Sequence, residues 1–253
     1  QKSRKSEIKK KIDMFEWELI EETLKEQGKE KELPKLEGMK LRNDKPFFLW
    51  KLHFAEVFQG KGGFDVVIAN PPYVSLEKIS DHKSSYKEIY QVASARGDLY
   101  CLFYELGVKI SKPNSGLITY ISSNKWMHCG YGEVLRRFFV AKNPLKLLNF
   151  GGFKMFENAT VDTNILILEN CTNLNALEAC HFKNDYEPGK DLLNYFLENR
   201  VHLKNINSNI WFIGSEKELL LKSKIEKLGK PLKEWNVKIN FGIKTGFNEA
   251  FII

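Results

Sequence analysis

Short apolar runs, bounded by turn residues and separated by longer amphipathic stretches, constrain the fold of this 253-residue chain more than any other feature. The runs are rich in β-branched and aliphatic residues and too short for core helices, so they predict buried strands. They cover residues 64–69, 117–121, 145–150 and 163–168. Helical periodicity lies around them, at residues 3–27, 98–110, 133–140 and 216–228. Strands that alternate with helices predict an α/β fold with a mostly parallel sheet.

Composition divides the chain into four segments. Residues 1–46 form a charged helical and linker segment, residues 47–170 hold the predicted strands, and residues 171–234 form a connector rich in Asn and Lys. Residues 235–253 open a further unit, in which glycine and asparagine separate two apolar runs as in a hairpin. Because the chain begins without Met in a polar helical stretch and ends in an apolar run, we expect it to be part of a larger polypeptide.

Charge and cysteine content limit the partners. The formal net charge is +7, which favours double-stranded DNA because Lys and Arg release counterions from phosphates, although a solvated lysine-rich surface explains it equally well. The four cysteines form no Cys-x-x-Cys pair and have no histidine at zinc spacing, so we expect reduced thiols in a cytoplasmic protein and no metal. No apolar run is long enough to span a bilayer, so we expect no membrane partner.

The tetrapeptide Asn70-Pro71-Pro72-Tyr73 follows directly on the apolar run at residues 64–69. In open α/β sheets, binding sites form at the carboxyl ends of strands, which is where this tetrapeptide falls. A proline after Asn70 keeps the asparagine extended, and a second proline stiffens the turn. The sequence therefore predicts a rigid array of one carboxamide, one peptide carbonyl and one aromatic ring. The alternative is a plain turn that ends a strand, because asparagine and proline favour turns.

Such an array meets the needs of methyl transfer to an aromatic amine. The exocyclic nitrogen of adenine is a poor nucleophile because its lone pair is delocalised into the ring. Two acceptors for its N–H groups, the Asn70 side-chain oxygen and the Pro71 carbonyl, would draw the nitrogen toward tetrahedral geometry and free that lone pair. Tyr73 could stack on the base, which has to leave the duplex to reach the site.

Four segments in a fixed order give the chain a resemblance to gamma-class adenine-N6 DNA methyltransferases, which include the TaqI methyltransferase and the fused type IIG restriction-modification enzymes. The segments are similar to motifs IV, V, VI and VIII of that class and lie at residues 64–74, 97–103, 116–127 and 155–168. The resemblance covers about residues 47–253. It implies part of a Rossmann-like methyltransferase sheet with flanking helices, followed by the start of a mixed α/β target recognition domain. It also implies S-adenosylmethionine as cofactor and DNA as substrate.

The resemblance also implies roles for single residues. Asn70 and Pro71 would accept the N–H groups of the target amine, and Tyr73 and Phe156 would hold the flipped adenine. Contact with the adenine of S-adenosylmethionine would come from Pro72, Leu99 and Phe103. For Phe156, Leu99 and Phe103 a place in the apolar core is the alternative. Phosphate or base contacts would come from Lys244 and Asn248 in the last hairpin, for which a solvated turn is equally compatible with the sequence.

The chain departs from the family pattern in its first half. Before residue 47 it has neither a glycine-containing cofactor motif nor an acidic residue placed for a ribose, and no nuclease core of the Pro-Asp … Asp/Glu-x-Lys type occurs. Gly60, Gly62 and Gly63 neither follow a strand nor open a helix, so they are poor candidates for cofactor-binding glycines. We therefore expect the chain on its own to bind S-adenosylmethionine weakly and to be inactive.

Two rival functions remain open. The same tetrapeptide resembles that of enzymes that methylate glutamine in release factors or guanine N2 in ribosomal RNA, where the amine poses the same chemical problem. Phe156, the long polar stretch at residues 75–96 and the basic extension favour DNA over these substrates. The other rival is a DNA-binding module that has a methyltransferase-like shape but no activity, which the intact tetrapeptide disfavours.

Overall fold

The computed structural model describes residues 2–45, 48–79, 83–94, 96–151, 155, 161–183, 186, 189 and 191–238. The helices in these ranges are α1 (Lys2–Glu26), α2 (Leu33–Arg42), α3 (Trp50–His53), α4 (Ala55–Lys61), α5 (Lys83–Ile89), α6 (Leu99–Ile110), α7 (Glu133–Val140), α8 (Leu192–Asn199) and α9 (Glu216–Leu228). The strands are β1 (Val66–Ala69), β2 (Leu117–Ser123), β3 (Asn143–Asn149), β4 (Thr163–Glu169), β5 (Leu177–His181) and β6 (Val201–Leu203). The fold is therefore α/β, as the sequence predicts.

The strands form one sheet in the order β1-β2-β4-β3-β5-β6. Two neighbouring pairs, β1 with β2 and β3 with β5, are parallel, whereas β4 runs antiparallel to both β2 and β3. The last pair, β5 with β6, is also antiparallel. The prediction of a mostly parallel sheet is therefore wrong in its pairings, because after β3 the chain returns directly beside that strand instead of crossing over.

The strand directions place several chain segments along one side of the sheet, where the ends of neighbouring strands line up. β1, β2, β3 and β5 all point the same way, so their carboxyl ends share this edge with the amino end of β4. We call it the carboxyl edge. It carries Asn70 and the residues that follow β2, β3 and β5.

One face of the sheet carries the larger core, against which α6 and α7 pack. Ile118 and Tyr120 of β2 face this core together with Leu147 of β3 and Leu166 of β4, and all four side chains are at most 2% exposed. A smaller cluster lies on the other face and includes Phe150, Phe182 and Phe196. Successive residues of β3 and β5 contribute alternately to the larger core and to the smaller cluster, because neighbouring side chains of a strand point to opposite faces of the sheet.

Two segments contain more secondary structure than the sequence suggested. The linker predicted within residues 29–46 contains α2, whose Pro34 lies in the first helical turn, where the missing N–H has no intrahelical partner to lose. Residues 177–203, within the predicted connector, contain α8 and contribute β5 and β6 to the sheet. Strands of three to five residues surrounded by polar residues carry too little periodicity to be recognised in the sequence.

The amino-terminal helices contribute a buried ionic cluster. Glu16 of α1 is 1% exposed, and its carboxylate accepts hydrogen bonds from Lys45 and His53. Lys45 also contacts Asp13 at 2.8 Å and lowers the pKa of that carboxyl. Among the described helices, none combines the length and apolar character that a bilayer crossing requires.

Candidate active site at the carboxyl edge

The Asn70–Tyr73 turn continues β1 beyond the edge of the sheet. Ala69 is paired with Tyr120 of β2, so Asn70 emerges beside the last residues of that strand. Asn70 and Pro72 are exposed, whereas Pro71 is buried and Tyr73 is half-buried. The exposed position of the Asn70 carboxamide leaves this group accessible to a substrate.

Tyr73 orients the Asn70 carboxamide. Its hydroxyl donates to Asn70 Oδ1 at 2.9 Å and lies 3.5 Å from the carbonyl oxygen of Ile121. Burial raises the pKa of Tyr73, so the hydroxyl remains protonated and able to donate. Because Tyr73 donates, the oxygen of the Asn70 amide faces it, and this oxygen keeps a second lone pair for another donor.

Backbone hydrogen bonds tie the turn to the start of α6. The N–H of Leu99 donates to the carbonyl of Val74 at 2.8 Å, and the N–H of Leu76 donates to that of Gly97 at 2.9 Å. Leu99 and Phe103, one helical turn apart, are half-buried and pack against the main core. The structure thus brings Leu99 close to the Asn70–Tyr73 turn, with Phe103 one turn further along α6.

These residues fit only part of S-adenosylmethionine. Pro72 is exposed, and Leu99 and Phe103 are half-buried and apolar, a combination suited to a flat heterocycle. No glycine-rich turn between a strand and a helix precedes β1 in the described residues, so groups for the rest of the cofactor are not found there. Phe156, Lys244 and Asn248 lie outside the described residues, as do residues 239–253 of the predicted hairpin.

A second group of polar side chains at the carboxyl edge was not predicted. Asn124 follows β2, Asn149 ends β3 and His181 ends β5, and these three side chains are linked in a row by two hydrogen bonds of 2.9 Å. Asn164 at the start of β4 is fully buried and donates to the carbonyls of Ser122 and Ser123. Polar residues at the ends of several predicted strands are the sequence signal that could have indicated this group.

A cleft of about 640 Å³ lies elsewhere, between α7, β6 and α9. Its lining includes His128, His202, Lys204 and Lys222, but neither Asn70 nor Tyr73. This cleft is therefore separate from the tetrapeptide site.

The fold and this edge define an α/β protein with a rigid, exposed amide and aromatic pair at the end of a strand. Residues 2–156 match the family model described as Eco57I restriction-modification methylase. The match covers more than half of the chain, so the chain belongs to this family, and its resemblance to restriction-modification methyltransferases is confirmed. Membership in a methylase family implies S-adenosylmethionine as the methyl donor.

Individual relatives share part of their length with the chain. It is 31% identical over 199 residues to the type II restriction enzyme and methyltransferase RM.Eco57I of Escherichia coli, covering 75% of the chain and 19% of the relative. It is 23% identical over 227 residues to the type II methyltransferase M.BstVI of Geobacillus stearothermophilus, covering 82% of the chain and 40% of the relative. The chain therefore spans well under half of either relative.

Similarity to solved structures is partial. The type IIG restriction endonuclease BpuSI aligns with 46% of the chain and 15% of its own length, at 18% identity and a TM-score of 0.37. The ATP-dependent Type ISP restriction-modification enzyme LlaBIII, bound to DNA, aligns with 64% of the chain and 13% of its own, at 15% identity and a TM-score of 0.44.

Proposed function

We propose that the polypeptide containing this chain transfers a methyl group from S-adenosylmethionine to N6 of an adenine flipped out of double-stranded DNA. It would act at specific sites, as part of a restriction-modification protein. The observation that carries the proposal is the exposed Asn70 carboxamide, oriented by Tyr73 at the end of β1. Family membership supports methyl transfer, and the tetrapeptide supports an amine as the acceptor.

The residues of the turn would act by positioning and by charge. Asn70 Oδ1 and the Pro71 carbonyl accept the two N–H groups of the amine, so its lone pair no longer conjugates with the ring. S-adenosylmethionine, when bound, supplies an electrophilic methyl group. Asn70 and Pro71 would hold the amine with its lone pair directed at this methyl group, and the proton that the amine loses on transfer would pass to solvent. No strong base is needed before the attack.

The Tyr73–Asn70 hydrogen bond would keep the acceptor oxygen in place before the substrate arrives. A carboxamide free to rotate would present its NH2 group to the amine in about half of its orientations, and that group repels another donor. The hydrogen bond that the Tyr73 hydroxyl donates to Asn70 Oδ1 would hold the carboxamide in one of these orientations. The ring of Tyr73 would stack on the adenine, with Phe156 on the opposite side of the base.

The wider organisation of the site follows from this proposal. Pro72, Leu99 and Phe103 would contact the adenine of the cofactor. Residues 47–170 would be the catalytic half of the methyltransferase domain, and residues 235–253 would begin a target recognition domain. There Lys244 and Asn248 would contact phosphates or bases. The net charge of +7 supports a nucleic-acid partner.

Substitution of Asn70 by alanine in the full-length polypeptide tests this role. We expect DNA binding at two salt concentrations within about twofold of the wild type, and methyl transfer lower by about 10²–10³-fold, as when one preorganised electrostatic partner is removed. The matched control is Asn209→Ala, which removes an exposed carboxamide between β6 and α9 and should leave transfer unchanged. Unchanged transfer in Asn70→Ala would remove this residue from the mechanism.

A further inference from the structure

The row of Asn124, Asn149 and His181 joins three separate chain segments at the carboxyl edge. Asn124 Nδ2 donates to Asn149 Oδ1 at 2.9 Å, and Asn149 Nδ2 lies 2.9 Å from His181 Nδ1. Asn124 is 6% exposed and Asn149 is 9% exposed, whereas His181 is half-buried. The row thus runs from a buried amide at the end of β2 to a partly accessible imidazole at the end of β5.

The donors and acceptors of the row are fixed by its neighbours. Asn149 Oδ1 accepts from Asn124 Nδ2 and also from the N–H of Gly151, at 3.3 Å. The Asn149 NH2 group therefore faces His181, and His181 Nδ1 has to accept from it. This arrangement requires the neutral imidazole with its proton on Nε2.

The row also contacts both described ends of the connection between β3 and β4. At the first end, the N–H of Gly151 donates to Asn149, and a Cβ on Gly151 would lie 3.3 Å from Asn124 Nδ2 and from His181 Cε1. At the second end, the N–H of Asn124 donates to the carbonyl of Asp162 at 2.9 Å. The side chain of Asn124 thus holds one end through Asn149, and its backbone holds the other.

Asparagine is an unusual residue for a buried position at the end of a strand. A buried primary amide is destabilising unless it is hydrogen-bonded, a requirement that an aliphatic side chain at the same position would not have. The row lies at the same edge of the sheet as Asn70, and β2, which Asn124 follows, is the strand paired with β1. Its placement at the reacting edge is what a positioning function predicts.

We propose that Asn124, Asn149 and His181 are positioning residues for methyl transfer, holding Gly151 after β3 and Asp162 before β4 in place at the carboxyl edge that also carries the Asn70 turn. The proposal rests on the proposed function. It assigns these residues no contact with the reacting atoms. Their loss should lower kcat and leave the KM for DNA nearly unchanged, because a positioning residue affects the geometry of the transition state more than the binding of the substrate.

The test compares Asn149→Ala with Asn170→Ala in the full-length polypeptide. Asn170 is also 9% exposed, and its Nδ2 donates to the Val108 carbonyl and the Ser111 hydroxyl at 3.1 Å each, but it follows β4 at the opposite edge of the sheet. Both substitutions should lower Tm. Only Asn149→Ala should lower kcat, by about 10–100-fold. An equal effect of the two substitutions on kcat would overturn the proposal.

A second pair of variants guards against misfolding of Asn149→Ala. His181→Asn places an amide oxygen where Nδ1 accepts and should retain kcat, whereas His181→Leu removes the acceptor and should lose about tenfold. Equal kcat values for these two variants would overturn the proposal, whatever their Tm. Absence of DNA methylation by the wild type would instead refute the proposed function and, with it, the proposal.

Discussion

Replacing Gly132 with alanine should destabilise the chain by about 2–3 kcal/mol, the cost typical of an overpacked core. A Cβ on Gly132 would lie 2.2 Å from the carbonyl oxygen of Trp126 and 2.7 Å from its Cα, against ordinary contacts of 3.4 Å or more. The backbone would have to move by about 1 Å to relieve this overlap. Trp126 resists such movement because it is fully buried between Phe139 and Trp211, at ring-centroid distances of 4.9 and 5.1 Å.

Gly130 provides the matched control in the same 3-10 turn, Gly130–Gly132. A Cβ on Gly130 would have no atom within 4 Å, so alanine should be neutral there or stabilise by up to about 1 kcal/mol through the unfolded state. The assay is urea unfolding of the 253-residue chain followed by tryptophan fluorescence, with midpoints compared at equal slope. Equal midpoints for Gly132→Ala and Gly130→Ala would refute the steric argument.

Three further predictions concern the core, one ion pair and the thiols. Leu166→Ala, at a fully buried position in β4, should lower the free energy of unfolding by about 2–5 kcal/mol in the same urea assay; a loss below about 1 kcal/mol would contradict the packing. A hydrogen bond from Lys146, assisted by Arg200, lowers the pKa of Glu178 below its ordinary 4.5. Because the pKa is lower in the folded state, this stabilisation is present above pH 4.5 and is lost as the pH falls through the folded value. Glu178→Gln should therefore unfold at less urea than the wild type at pH 7, this difference should shrink as the pH falls through the folded pKa, and a difference independent of pH would count against the ion pair. Burial raises the pKa of the Cys101 thiol to about 12, so a thiol reagent should label half-buried Cys129 in the native chain and Cys101 only after unfolding; early labelling of Cys101 would contradict its burial.

Local patterns in the sequence predicted four of the described helices, α1, α6, α7 and α9, and the strands β1, β2, β3 and β4. The helices predicted at residues 133–140 and 216–228 coincide with α7 and α9, because apolar spacing and the flanking residues are read within a few turns. The Asn70–Tyr73 turn lies at the end of β1 as predicted, because two prolines can only follow the strand and not continue it.

Long-range pairing could not be predicted in the same way. An apolar run such as residues 163–168 has the same period in either direction, so nothing in it indicates that β4 lies antiparallel between β2 and β3. The row of Asn124, Asn149 and His181 joins residues that are 25 and 32 positions apart. Only the order of the strands in the sheet brings them together, and no local spacing encodes that order.

The chemical identity of the methylated product tests the central claim most directly. The full-length polypeptide is incubated with labelled S-adenosylmethionine and, separately, with DNA, ribosomal RNA and a release factor, and each product is digested and identified by mass spectrometry. We predict N6-methyladenine in the DNA and no label elsewhere. Label on glutamine of the release factor or on guanine N2 of the RNA, with unmodified adenine in the DNA, would contradict the assignment of this site to adenine.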